Sequence, residues 1–173
     1  MSNAFKDKLK KIRDASVKRS EVHLKLRSDE DLARSQKTVQ AFEFREGIEA
    51  VIGDFVKNFQ AEAPAFVLTR GFYEGKYMLA MRCDEELTDS SGRSSKYYSR
   101  LMFLLDPHVD EGSLTIQAKK TIRNRDLESI TQRGQMGEPD QAAFASFVEV
   151  QFLEFAESYF GEHTLSKSGG VPT

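Results

Sequence analysis

Few residues of this chain have the type and spacing to do chemistry, and each also has a plainer use. Arg70 lies in "AFVLTRGF", which with "KYMLAMRC" flanks a tight turn at Glu74-Gly75. If Tyr73 pairs with Lys76, then Phe66, Leu68, Arg70 and Phe72 share a face with Tyr77, Leu79, Met81 and Cys83. On so apolar a face a guanidinium reaches the rim or pairs with a helix carboxylate. Alternatively it grips an anion at the mouth of a cavity, which makes Arg70 the one ligand-binding candidate. Arg82 falls on the opposite face, beside Val67 and Thr69.

Cys83 is the only cysteine, so no internal disulfide or multi-cysteine zinc site can form. A nucleophilic thiol needs a general base. The three histidines, His23, His108 and His163, lie far along the chain, so Cys83 is read as a small buried hydrophobe. "DPHVDEG" places Asp106, His108 and Asp110 at alternate positions. A calcium loop of the EF-hand kind needs Gly at its sixth position and Glu at its twelfth. Here Gly112 is seventh and Gln117 twelfth, so a hairpin turn is expected. "DSSGRSS" lacks the second Gly and the Lys-Ser/Thr pair of a phosphate loop, and reads as a strand connection. No G-x-S-x-G, H-E-x-x-H, C-x-x-C or dinucleotide fingerprint occurs. No catalytic residue, metal or cofactor is assigned, and the chain reads as a non-enzyme.

Charge gives a second kind of candidate. The whole chain of 173 residues has a formal charge of −2, yet Phe5 to Ser28 holds nine Lys and Arg against three acids. Lys6, Lys8, Lys10, Lys11, Arg13, Lys18 and Arg19 are candidates for holding an anionic partner. That partner is a nucleic acid, an anionic membrane surface or an acidic part of the same fold. Gly134 to Thr164 is the counterpart, with six acids and no Lys or Arg. The two blocks can pair within the fold or between subunits.

The elements that must position these residues follow from periodicity. Residues 1–19 read as a basic amphipathic helix with Phe5, Leu9 and Ile12 on one side. Val22, Leu24 and Leu26 alternate with charged residues, a strand signal. Ser28 and Asp31 form a capping box for a helix running to about Gln60, with a break near 41–47 suggested by Gly47 and Gly53. Strands follow at "AFVLTRGF", "KYMLAMRC", "KYYSRLMFLL" and "SLTIQAKKTI", with a further short strand near Leu127 and Ile130. A last helix starts at Pro139, stops at Gly161 and carries Phe144, Phe147, Phe152, Phe155 and Tyr159 on its apolar face. Residues 20–161 are thus one α+β core domain, an antiparallel sheet of four or five strands with long helices on one face. Residues 162–173 form a flexible tail.

The element order is similar to that of small α+β secretion chaperones and of helix-grip ligand-binding folds, but no motif carries either likeness. The first usually have a helix where this chain has "DPHVDEG", and the second need about six strands. With no membrane-length apolar run and no secretory signal, a soluble cytoplasmic protein is expected. The expected function is a non-enzymatic interaction module, adaptor-like or chaperone-like, binding a protein partner or itself. A cavity for a small or apolar anion, and anionic-polymer or membrane-surface binding by the basic helix, are the alternatives. Stable membrane anchoring is not expected.

Overall fold

The computed structural model describes the backbone of residues 3–88 and 91–167, and the side chains of 10–88, 91–137 and 140–161. Helix α1 (Asn3–Glu62) is followed by strands β1 (Val67–Tyr73), β2 (Lys76–Thr88), β3 (Ser94–His108), β4 (Ser113–Ile122), β5 (Arg125–Asp126) and β6 (Ile130–Gln135), then by helix α2 (Glu138–Lys167). The chain divides into two compact units between Val39 and Gln40.

The second unit, 40–173, holds an antiparallel six-stranded sheet. β1 to β5 are neighbours in order, and β6 pairs with β4. The β1–β2 register is the expected one, with Tyr73 opposite Lys76 and Arg70 opposite Leu79. Glu74 (φ 52°) and Gly75 (φ 77°) both adopt the left-handed conformation that a two-residue hairpin turn requires.

Apolar residues on one sheet face explain where the helices go. Phe66, Leu79, Met81, Leu101, Phe103 and Ile116 are buried in one cluster with Ile48, Ile52 and Phe59 of α1 and with Phe144, Phe152 and Phe155 of α2. Aromatic rings fill its centre: Phe66 meets Phe59 edge-on at 5.1 Å and Tyr159 at 5.0 Å. The opposite face buries a smaller patch of Ala80, Met102 and Leu104, with Met78 against it.

Several expectations need correction. The sheet has six strands, not four or five: β6 answers to the short strand expected near Leu127 and Ile130, and the two-residue β5 is the addition. α1 passes through 41–47 unbroken. A Cβ on Gly47 would stand 3.3 Å from Gln141 Nε2 of α2, so this glycine serves close helix approach rather than a break. Gly161 does not end α2, which continues to Lys167; residues 168–173 of the expected tail lie outside the described residues.

The first unit, 1–39, is helical from Asn3 onward. No strand forms at Val22–Leu26, and Ser28 sits inside the helix rather than capping one. Alternation makes a strand only where a partner strand and an apolar face exist, and here Val22, Leu24 and Leu26 are all exposed. Acids precede bases by four residues at Asp14/Lys18, Glu21/Lys25 and Glu30/Arg34, which favours helix. The helix also runs through residue 19 without interruption, so no structural break marks the expected end of a basic helix there.

Candidate functional site

The register places Arg70 on the helix-facing side of the edge strand β1, where α1 supplies its partner. Arg70 Nε stands 2.8 Å from Glu49 Oε1. Burial, and then the neighbouring Glu49 carboxylate, push the Tyr77 pKa up. Arg45, one helical turn before Glu49, lies with its guanidinium 4.5 Å from the centres of both the Phe42 and Tyr77 rings. Phe72 meets Tyr77 edge-on at 5.7 Å and is 74% exposed, while Phe42 is half exposed. Arg45, Phe42, Tyr77 and Phe72 thus form a chain of ring contacts beside the Arg70–Glu49 pair.

Arg70 is the intramolecular partner of a helix carboxylate, in a cleft of about 520 Å³ that Glu46, Glu49, Asp54 and Lys57 also line. A cleft with three acids is a poor receptor for an anion. The six strands meet the count of a helix-grip arrangement, but aromatic and aliphatic side chains fill the space between sheet and helices.

A second cleft, of about 620 Å³, lies where β2 and β3 extend past the sheet. Arg82 stacks 4.5 Å over the Tyr98 ring there and is held by Asp84 at 2.7 Å. Beneath it a buried polar cluster closes the core. Tyr159 donates to Glu85 at 3.0 Å, and Arg123 stands 3.5 Å from the other Glu85 oxygen. Burial, and then the bond to Glu85, push the Tyr159 hydroxyl well above its ordinary range. Burial, and then the Glu85 charge, raise the Cys83 pKa as well. Cys83 is 3% exposed and part of the apolar core, as expected of a packing residue.

Sequence reasoning missed the turn that builds this cleft. Arg123 (φ 46°) and Asn124 (φ 65°) form a left-handed two-residue turn between β4 and β5. Asn124 accepts from the Tyr98 N–H at 2.9 Å and donates to the Lys96 carbonyl at 3.2 Å, so its side chain replaces a strand partner. The signal was "TIRNRD", an Asn in a turn position between two very short strands.

The remaining candidates scatter. Asp106 pairs with Lys76, and His108 with Thr115 at 3.2 Å, across a hairpin whose turn is a short 3-10 helix at Val109–Glu111. No group of three His, Cys, Asp or Glu suited to a metal ion occurs among the described residues. Lys10, Lys11, Arg13, Lys18 and Arg19 are exposed on α1; Lys6 and Lys8 belong to the same helix, with side chains outside the described residues. No helix among the described residues is long and apolar enough to cross a membrane. Comparison with protein-family models, with curated proteins and with solved structures found no match.

Proposed function

We propose that this chain is a non-enzymatic protein-interaction module whose docking element is the helical segment 10–39. One observation carries the reading: every residue from Lys10 to Gln40 is exposed, including seven aliphatic ones. Ile12, Val17, Val22, Leu24, Leu26, Leu32 and Val39 are 50–67% accessible. Most helical stability in proteins comes from packing an apolar face, and a helix exposed on all sides lacks that support. A partner that covers these residues supplies it.

The distribution of side chains favours a protein partner over the alternatives. At about 100° per residue, Ile12, Val22 and Leu26 fall on one side of the helix and Val17, Leu24, Leu32 and Val39 on the other. A surface-lying membrane helix needs one apolar face. Single-stranded nucleic acid binds where bases stack on aromatics, and residues 10–39 contain no Phe, Tyr or Trp. Asp14, Glu21 and the run Asp29, Glu30, Asp31 interrupt the basic surface that a phosphate backbone requires.

The test is affinity capture from a lysate of the cells that express the protein, with and without nuclease. The full chain is compared with its Leu24→Glu/Leu26→Glu variant. Retained protein that survives nuclease and disappears with the variant supports the reading. Retained material that vanishes with the nucleic acid overturns it.

A further inference from the structure

We infer that segment 10–39 of one copy pairs with the outward face of α2 of a second copy. The inference rests on the docking role of that segment and names its partner.

α2 turns Ala143, Ser146, Val150, Leu153 and Glu157 outward, at spacings that alternate three and four. That alternation is the seam by which helices pair side by side. Val150 is 47% exposed and Leu153 63%, so the middle of this face is apolar and uncovered. Glu149 flanks it and Glu157 lies at its C-terminal end, both exposed. The fourth-spaced Glu154 is already engaged by the buried Lys120.

Segment 10–39 repeats the same geometry in the opposite charge. Ile12, Ala15, Arg19, Val22 and Leu26 follow the three-four alternation, and Lys11, Lys18 and Lys25 recur at every seventh residue along its edge. All eight are exposed. At about 1.5 Å per residue, Ile12–Leu26 and Ala143–Glu157 each cover about 21 Å, so the two seams match in length.

Charge selects the pairing. Segment 10–39 carries nine basic and five acidic residues, so two such segments repel. Two α2 faces would set acid against acid, with no Lys or Arg from Gly134 to Thr164 to relieve it. The mixed pairing alone sets lysines against glutamates. Among the described residues, none of Lys11, Lys18, Lys25, Glu149 and Glu157 is held in an ion pair. Each copy carries both faces, so a dimer with two reciprocal contacts uses both.

The experiment is analytical ultracentrifugation of the full chain over a micromolar concentration series. It compares the wild type, the acid-reversed variant Glu149→Lys/Glu157→Lys, the base-reversed variant Lys11→Glu/Lys18→Glu/Lys25→Glu, and an equimolar mixture of the two variants. The wild type is expected to dimerise and to dissociate in high salt. Each variant alone is expected to bind itself about tenfold more weakly or worse, and the mixture to recover the dimer, because both contacts then pair Lys with Glu again. Should circular dichroism show that a variant has lost its helix, the corresponding Gln substitutions replace it, with weaker self-association expected of each. A monomeric wild type, a dimer insensitive to either substitution, or variants that fail to complement overturns the pairing. A monomeric wild type leaves the docking reading standing unless the capture experiment also fails.

Discussion

The guanidinium of Arg70, on the free edge of the sheet, is joined to Glu49 of α1 at 2.8 Å, and this single pair fastens an edge strand to a helix. Arg70 is 55% exposed at its side chain and Glu49 19%, so solvent screens the attraction. A double-mutant cycle over Arg70→Ala and Glu49→Gln should give a coupling of about 0.2–1 kcal/mol in urea unfolding. A coupling well above that range would mean that the pair belongs to a desolvated network with Tyr77.

Lys120 is buried at 5% exposure, and Glu154 of α2 is its ionic partner. Removing the carboxylate strands a charge in the core, whereas replacing the lysine by an apolar side chain removes the need for a partner. Glu154→Ala should therefore cost about 1–3 kcal/mol, while Lys120→Met should be near neutral or stabilising. Chemical denaturation of the two variants measures this asymmetry, and equal losses would contradict it.

Gly134 of β6 faces the start of α2 so closely that an added Cβ would lie 2.9 Å from Asp140 Oδ2 and 3.1 Å from the Phe144 ring. Phe144 is fully buried, so the ring has little room to yield. Gly134→Ala should destabilise the fold by about 1–3 kcal/mol through overpacking. Thermal unfolding checks this, with Gly53→Ala as the control, since nothing lies within 4 Å of a Cβ there.

Cys83 and Tyr159 both have folded-state pKa values raised above their ordinary 9.0 and 10.0. The folded chain then holds protons that the unfolded chain releases, so stability is full below about pH 9 and declines as pH rises further. Tyr159→Phe should flatten that alkaline decline while lowering stability at neutral pH, because Glu85 loses its donor. A melting temperature series from pH 7 to about pH 11 shows both effects.

The sheet was legible because its signals are local: the Glu74-Gly75 turn sets the register, and the register sets which side chains meet the helices. Arg70 followed from the same register, as did its helix carboxylate. Glu49 could not be named, since it comes from an element distant in sequence. β5 and β6 were harder to read. β5 follows a turn whose Asn124 bonds to β3, a contact across 26 residues. The alternation at Val22–Leu26 misled because a period of two implies a strand only when a neighbouring strand is available to pair. The candidate interaction surface was visible as a charge block, but its exposed aliphatic residues on two sides of one helix emerged only from the fold.

The most direct test of the central claim is amide hydrogen exchange across residues 10–39, measured alone at low concentration, at high concentration and with captured partner protein. A helix without packing opens easily and exchanges fast. Rapid exchange is expected in the dilute chain and slowed exchange whenever a protein covers the segment, with the buried strand residues Leu101–Leu105 protected throughout. Exchange across 10–39 that stays rapid under all three conditions would contradict the claim.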